Sequence, residues 1–291
     1  MAINRIVDAG GAPPGWEQIV LEPARSAMTQ KATPEVLRLL ATAGNDSDRD
    51  AAARYLADTD EMLRLGAAEG MRRSGRRRAL VERASADPVI YPVAVAAIAD
   101  QPATPAVMTA LLDLPPRTEQ ADAWNAAMKR VLVGLAAKDL IAADERLAAL
   151  AFVTTKTRIE GLRSAVAVPA NGGDQTLRTD LLVRLADLLL AEGDSRGALR
   201  LLADERQRDA APMRPRFFRA AVMEGEYEMA AKLEPAAETW LVLLEALARQ
   251  SPRSARPLAD EITQRFARTM SESERQRLTS LERSLAATGQ G

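Results

Sequence analysis

The chain repeats short segments at nearly constant spacing, and this repetition restricts its fold more than any other feature of its sequence. Ala57-Asp58 opens a segment that ends in an Ala-Ala pair, and Ala86-Asp87 opens another such segment 29 residues later. In the second half, Ala191-Glu192-Gly193-Asp194 recurs loosely as Met223-Glu224-Gly225-Glu226, 32 residues further on. Periods of this length are typical of stacked helical hairpins, which form extended surfaces. The repetition therefore predicts an all-α fold.

The composition removes most of the usual catalytic and metal-binding chemistry. The 291 residues include no histidine and no cysteine. The usual zinc sites, thiol nucleophiles, disulfides and every Ser-His or Cys-His catalytic unit are therefore excluded. Carboxylate, lysine and hydroxyl chemistry stay open. We expect no metal, no cofactor and no enzymatic activity.

Charge and hydropathy bound the partners and the compartment. The 39 basic and 40 acidic side chains nearly cancel, so attraction to nucleic acid or an anionic membrane would need a local patch. The N-terminus lacks the apolar stretch of a secretory signal, and no apolar run approaches the ~18 residues of a membrane span. We expect a cytoplasmic protein with no membrane-spanning segment.

The first half of the sequence predicts a succession of helices joined by short loops. Thr33 is a predicted N-cap with Pro34 at the first helical position, and Asp46 or Ser47 is the predicted N-cap of the next helix. Breakers such as Gly44, Pro88 and Pro102 punctuate the series. The later predicted helices cover residues 61–71, 77–86, 89–99, 104–114, 119–136 and 139–154.

Residues 34–115 resemble bacterial HEAT-like repeats. The resemblance rests on the turns led by Asp58 and Asp87, the alanine pairs Ala67-Ala68 and Ala96-Ala97, and the helix that follows each turn. It implies that the alanines allow close helix packing and that each turn aspartate caps the following helix. The arginine that pairs with such aspartates in that family is not evident in the sequence.

Residues 180–270 resemble tetratricopeptide repeats. One unit reads as a helix over 182–190, a turn at Glu192-Gly193-Asp194 and a second helix that begins near Ala198. The next unit has its turn at Gly225-Glu226-Tyr227 and a short second helix before Pro235. At the end of the chain, Ser271 and Glu274 match the S-x-x-E capping box and open an amphipathic helix suited to covering the end of a stack.

These features predict one architecture, a right-handed α-α superhelix of stacked antiparallel hairpins. Its predicted parts are an N-terminal leader or cap over 1–32, HEAT-like repeats over 33–168, and tetratricopeptide-like repeats with a C-terminal capping helix over 174–291. Trp124, Trp240 and the Phe217-Phe218 pair lie at helical spacing from other apolar residues and are predicted core.

Two motifs that suggest chemistry fail on inspection. Gly193-Asp194-Ser195-Arg196-Gly197 satisfies the G-x-S-x-G pattern, but that elbow needs a strand and a histidine base, so we interpret Ser195 as a helix cap. Asp46, Asp48 and Asp50 match the first positions of a calcium loop, but Ala51 stands where that loop requires glycine. Helix capping accounts for both motifs.

The one dense basic cluster is the candidate binding site. We name it the arginine ridge, and its members are Arg72, Arg73, Arg76, Arg77 and Arg78. Arginines at the start of a helix oppose the helix dipole, so they call for a neighbouring carboxylate or an external anion. A solvated ridge paired with acidic neighbours is the simpler interpretation, and the absence of interleaved aromatic residues weakens single-strand nucleic-acid binding.

The sequence therefore predicts a non-catalytic interaction scaffold that binds a peptide or partner protein on its concave face. The alternative is a nucleic-acid or phosphate-binding protein that uses the arginine ridge. An enzyme that uses carboxylates on an α-superhelix is the least favoured hypothesis. The sequence leaves the oligomeric state and the identity of the partner open.

Overall fold

A computed structural model describes residues 15–168, 175–203, 211–250 and 252–287 of the chain. All regular structure in these ranges is helical, and no strand occurs in them. Residues 1–14 of the predicted leader lie outside the described part. The first ten α-helices are α1 Glu22–Gln30, α2 Pro34–Ala43, α3 Asp46–Arg54, α4 Glu61–Arg73, α5 Arg77–Ala84, α6 Tyr91–Ala99, α7 Pro105–Leu112, α8 Ala121–Gly134, α9 Ala137–Ala148 and α10 Thr155–Ala167. The remaining ones are α11 Gln175–Ala191, α12 Ser195–Ala203, α13 Arg214–Met223, α14 Tyr227–Leu233, α15 Ala237–Gln250, α16 Pro252–Phe266 and α17 Glu272–Ala287.

The chain divides by its internal contacts into two units, Met1–Ala167 and Val168–Gly291. In the first unit, each of the helices α2, α4, α6 and α8 packs on the next even-numbered helix. The odd-numbered helices α3, α5 and α7 pack on both sequence neighbours, and α9 packs on α10 and α7. Consecutive helices and next-but-one helices are thus in contact, as in a helical repeat array. The hand of a superhelix stays a prediction.

Glycines let the backbones of α2 and α4 touch. A Cβ added at Gly66 would lie 2.5 Å from the Cα of Pro34, and one added at Gly70 would lie 2.4 Å from the Cβ of Ala41. Both distances are far below van der Waals contact, so only glycine fits at these two positions. Since the first residue of α2 meets the middle of α4 and a later residue of α2 meets a later residue of α4, the two helices run parallel.

Side-chain contacts between alternate helices join residues that are 28 to 31 positions apart in the sequence. Arg72 of α4 pairs with Asp100 at the end of α6, 28 residues on, and Arg130 of α8 reaches that same Asp100 from 30 residues away. Ser164 of α10 donates to the carbonyl of Val133 in α8 across 31 residues. In the second unit Arg216 of α13 binds Asp187 of α11 across 29 residues. The repeat spacing of the sequence is therefore the spacing of the parallel helices.

The core of the first unit includes the aromatic and aliphatic stripe that the sequence predicts. Trp124, Met128, Val131, Leu132 and Leu135 are all buried, which confirms that stripe. The indole Nε1 of Trp124 donates to the carbonyl of Leu111 at 2.9 Å. A core side chain thus also supplies a hydrogen-bond donor for a carbonyl at the C-terminal end of α7.

The predicted helix over 139–154 is wrong in its last six residues. The helix α9 ends at Ala148, and α10 begins at Thr155 after a short loop. Buried Asn125 of α8 holds this loop, because its side chain donates to the carbonyl of Phe152 at 2.8 Å and accepts from the amide of Thr154 at 3.0 Å. A distant asparagine thus provides backbone partners that a continuous helix would have supplied.

Three helix ends share one glycine turn. Gly75, Gly193 and Gly225 have φ values of +75°, +81° and +76°, a left-handed conformation that favours glycine. At each of them, the amide of the following residue donates to a carbonyl five residues back, as in Arg76 to Met71 and Glu226 to Ala221. The 32-residue repeat seen around Gly193 and Gly225 is therefore a repeat of backbone geometry.

Several predicted caps are confirmed and others are wrong. Thr33 caps α2, and Ser271 with Glu274 forms the capping box of α17. The N-cap of α3 is Asn45, which shares a capping box with Asp48, rather than Asp46 or Ser47. Asn45 takes the N-cap position because its side chain accepts from the amide of Asp48, while the carboxylate of Asp48 accepts from the amide of Asn45.

The HEAT-like resemblance implies that each turn aspartate caps the helix that follows it. In the structure, Asp58 and Asp87 both lie before the N-cap position. Asp58 accepts from the amide of Asp60, and Asp60 is the N-cap of α4. Asp87 accepts from the amide of Val89, and α6 begins at Tyr91. Both aspartates therefore shape the turn, and the helix that follows begins three or four residues later.

The second unit packs around Trp240. This side chain is fully buried, and the rings of Phe218, Tyr227 and Phe266 lie within 6.2 Å of its centroid. The predicted core roles of Trp240 and of the Phe217-Phe218 pair are confirmed. Leu278 and Leu285 of α17 are also buried, with the helix packed on α15 and α16.

Candidate binding surfaces

The arginine ridge spans the turn between α4 and α5. Arg72 and Arg73 end α4, Arg76 is the N-cap residue of α5, and Arg77 and Arg78 begin α5. The left-handed Gly75 between them reverses the chain direction. The ridge is thus one continuous stretch of chain, but its side chains have different surroundings.

Arg76 is paired by two carboxylates of α3. One terminal nitrogen lies 2.7 Å from Asp46, and the other hydrogen-bonds Asp50. The hydrogen bond from Arg76 holds the pKa of the Asp46 carboxyl below its ordinary value, with Arg49 contributing to the same effect. The unfavourable position of Arg76 at a helix start is therefore compensated within the molecule.

The other arginines at the start of α5 face solvent. Arg78 binds Glu82, one turn further along the same helix, at 2.7 Å, and its side chain is 93% exposed. Arg77 is also exposed. Together with Arg76 they form a solvated helix start whose charge is largely balanced, and the structure does not direct them to one common anion position.

Arg72 belongs to a different surface. Its guanidinium makes two hydrogen bonds to Asp100, at 2.7 and 3.2 Å, and Arg130 approaches the same carboxylate at 3.2 Å. The hydrogen bonds that Arg72 donates to Asp100 raise the pKa of Arg72 above its ordinary value. These three residues come from α4, α6 and α8, and sequence reasoning singled out only the first of them.

The exposed positions of α4, α6, α8 and α10 form a surface that we call the even-helix face. On α6 only Pro92 and Ala96 within the helix escape full burial, and they lie four residues apart on the side that ends at Asp100. Ion pairs join the neighbouring stripes, Arg72 to Asp100 to Arg130 and Lys129 to Glu160. The four stripes therefore lie side by side on one surface.

Two large apolar side chains are exposed on this face. Met62 of α4 is 58% exposed, and Val133 of α8 is 46% exposed. Met62 shares its stripe with Arg72, since residues 62, 65, 69 and 72 follow the helical repeat, and Val133 lies three residues after Arg130. The face thus combines apolar side chains with charged ones. The signal available in the sequence was the helical spacing of these residues, but which side of each helix is covered depends on packing.

Arg64 connects two successive repeats. Its Nη1 donates to the carbonyl of Asp58 at 2.9 Å, and its Nε lies 2.8 Å from a carboxylate oxygen of Asp87. One arginine of α4 therefore joins the equivalent turns that define the 29-residue repeat. The sequence did not reveal this residue, because nothing in its local pattern distinguishes it from other arginines of the chain.

The second unit has a groove between α15 and α17. It has a volume of about 390 Å³ and is lined by Glu245, Arg249, Arg277, Leu281 and small residues of the two helices. Arg277 is held by Glu238 and Glu245 at 2.7 Å each, and these bonds raise its pKa. The charges of Arg277 and Glu245 are thus already paired with each other within the molecule.

The motif around Ser195 has a structural role. The cap of α12 is Asp194, which accepts from the amide of Gly197 at 2.8 Å, so the prediction that Ser195 caps the helix is wrong. Ser195 is the first residue of α12 and is buried, and its hydroxyl donates to the carboxylate of Glu224 at the next repeat's turn. It ties two equivalent turns together.

Among the residues that the structure describes, no group of three or more acidic side chains is placed to hold a metal ion. None of the helices in the described ranges is long and apolar enough to cross a membrane. Asp46 and Asp50 instead bind Arg76, and Asp48 binds Arg25.

Compared with protein-family models, curated proteins and solved structures, the chain matches none of them. The resemblances to HEAT-like and tetratricopeptide repeats therefore stay predictions from the sequence.

Proposed function

We propose that the protein is a non-catalytic interaction scaffold that binds a peptide or partner protein on the concave face of its helical array. The observation that carries the proposal is the even-helix face, where parallel helices present adjacent exposed stripes held in register by ion pairs. A partner segment laid across these stripes would contact several helices at once.

The dimensions of the face suit a short peptide. Packed helices are separated by about 8–10 Å, so four of them span roughly 25–30 Å. An extended chain rises about 3.3 Å per residue, and eight or nine residues would cross the surface. Specificity would come from side chains that enter the spaces between helices, as in other groove-binding modes.

The alternative, phosphate or nucleic-acid binding through the arginine ridge, has weaker support. Arg76 already has two carboxylate partners and Arg78 has one. An incoming phosphate would have to compete with these carboxylates, and it would meet their negative charge nearby. The ridge stays a candidate anion-binding site only through its solvent-exposed members.

Affinity capture distinguishes the two functions. The tagged full chain is recovered from the lysate of its native cells, with and without nuclease, and the bound material is identified by mass spectrometry. A stoichiometric protein that survives nuclease treatment supports the scaffold. Recovery of nucleic acid that is lost in an Arg76→Glu/Arg77→Glu variant would contradict the scaffold and favour the alternative.

A further inference from the structure

Cations outnumber anions at one end of the even-helix face. The last eight residues of each of the helices α2, α4, α6, α8 and α10, together with Asp100, include six basic side chains and three acidic ones. The basic ones are Arg38, Arg72, Arg73, Lys129, Arg130 and Arg163, and the acidic ones are Glu69, Asp100 and Glu160. This local surplus stands out in a chain whose overall net charge is −1.

The surplus is visible in the geometry of Asp100. This one carboxylate serves two guanidiniums, from Arg72 and Arg130. Arg130 uses only Nη1, at 3.2 Å, although a guanidinium has five N–H donors. Its side chain is 52% exposed, so the remaining donors are available to a second carboxylate. Around Arg76 the ratio is reversed, because that one guanidinium has two carboxylate partners.

The surface beside this charged end is low and apolar. Along α6, Pro92 is exposed and Ala96 is half-buried, and neither has a long side chain. A peptide backbone can therefore approach α6 closely, between the higher stripes of α4 and α8. Exposed Met62 and Val133 on those two helices offer apolar contacts on either side.

We propose that the even-helix face binds a peptide segment in which acidic side chains stand next to apolar ones. The acidic side chains would bind Arg130 and Arg72, and the apolar ones would pack over Ala96 and against Met62. The inference rests on the proposed scaffold function and names the chemistry of its partner. A nucleic acid fits less well, because the exposed positions of the face have no aromatic side chain for base stacking.

The experiment selects random 12-residue peptides displayed on phage against the full chain. The most enriched peptide is then synthesised with a fluorescent label, and its affinity is measured by fluorescence anisotropy. We expect enriched peptides of net negative charge that also carry apolar residues. An Arg72→Glu/Arg130→Glu variant should bind the labelled peptide at least about tenfold more weakly, since charge-assisted hydrogen bonds are lost and like charges replace them.

The matched control reverses the same amount of charge at the start of α5. An Arg77→Glu/Arg78→Glu variant should bind the peptide as the unaltered chain does. Because Arg72 also holds α4 to α6, two gentler variants protect the test from misfolding. Arg130→Gln removes the exposed guanidinium alone, and Ala96→Trp fills the low surface over α6; both should weaken binding several-fold.

Each other outcome overturns a different statement. Enriched peptides that bind equally well to all face variants would leave the scaffold function standing and remove this face as the site. Enriched peptides without acidic residues would refute the proposed chemistry. Failure to enrich any peptide would contradict both proposals. Binding of a labelled single-stranded 12-nucleotide DNA that is lost in the Arg72→Glu/Arg130→Glu variant would replace the peptide with a nucleic acid.

Discussion

Individual polar residues hold the repeats of this protein together across about one repeat length. Arg64 joins the turns at Asp58 and Asp87, Ser195 joins its own turn to Glu224, and Asn125 holds the loop before α10. Each of these side chains satisfies groups that the local helix leaves open. Their removal should therefore affect stability more than their small number suggests.

Asn125 provides the clearest test at this scale. Its amide makes four hydrogen bonds, to Ala121, Phe152, Thr154 and Thr157. We expect Asn125→Ala to lower the free energy of unfolding by about 2–4 kcal/mol, because buried backbone groups lose their partners. Urea unfolding followed by circular dichroism measures this. Gln30→Ala, at an exposed helix end, should change stability by less than about 0.5 kcal/mol. Equal effects of the two changes would refute the role of Asn125.

The pH dependence of stability follows from the paired carboxylates. Hydrogen bonds from Arg25 and from the backbone of Asn45 hold the pKa of the Asp48 carboxyl below its ordinary value. The folded protein therefore binds this proton more weakly than the unfolded chain. The stabilisation is complete above the ordinary aspartate pKa of about 4 and is lost as the pH falls through the lower pKa of the folded state.

We expect the free energy of unfolding to stay nearly constant between about pH 6 and 7.5, since the chain has no histidine, and to fall below about pH 4. Asp48→Asn should reduce stability at pH 7 and flatten the acid limb of the curve. Denaturant unfolding at a series of pH values measures both effects. A variant whose acid limb is as steep as that of the unaltered chain would show that Asp48 contributes nothing to it.

At the scale of elements, close backbone contact sets the spacing of the parallel helices. Gly66 and Gly70 bring α4 against α2. Gly161 does the same for α10 and α8, since a Cβ added at Gly161 would lie 2.8 Å from the Cβ of Leu132. Small residues at such contacts fix both the distance between helices and their register. Any side chain added there must push two helices apart.

Gly70→Val tests this close approach. The new Cβ would overlap Ala41 at 2.4 Å and the carbonyl oxygen of Arg38 at 2.9 Å. We expect a loss of about 3 kcal/mol or more in the free energy of unfolding, because both neighbours are fixed in a helix. Ala142→Val, on the exposed side of α9, should cost only about 0.5 kcal/mol from helix propensity. A loss below about 1 kcal/mol for Gly70→Val would show that α2 and α4 are not in tight contact.

The elements themselves were largely predictable and their partners were not. Helical periodicity and caps such as Thr33 and Ser271 identified most helices, because these signals are local. The break after Ala148 was missed because the side chain that holds the loop, Asn125, lies more than twenty residues earlier. The arginine ridge was visible as a run of residues, but Asp100 and Arg130, which meet Arg72, come from helices that only folding brings together.

At the scale of the whole molecule, a nearly constant repeat length allows one surface to extend over several helices. Offsets of 28, 30 and 31 residues link α4 to α6, α6 to α8, and α8 to α10. Because these offsets match the 29-residue repeat of the sequence, exposed residues at equivalent positions fall side by side. The even-helix face is a direct consequence of the 29-residue repetition in the sequence.

The measurement that tests this account most directly is site-specific crosslinking at the centre of the even-helix face. A photoreactive benzoylphenylalanine replaces Ala96 of α6 in one variant and exposed Ala142 of α9 in a matched control, and each full chain is irradiated in nuclease-treated lysate of its native cells. The account predicts a discrete protein adduct from position 96, with an acidic segment at the crosslinked site, and none from position 142. Adducts formed equally at both positions, or only at position 142, would contradict it.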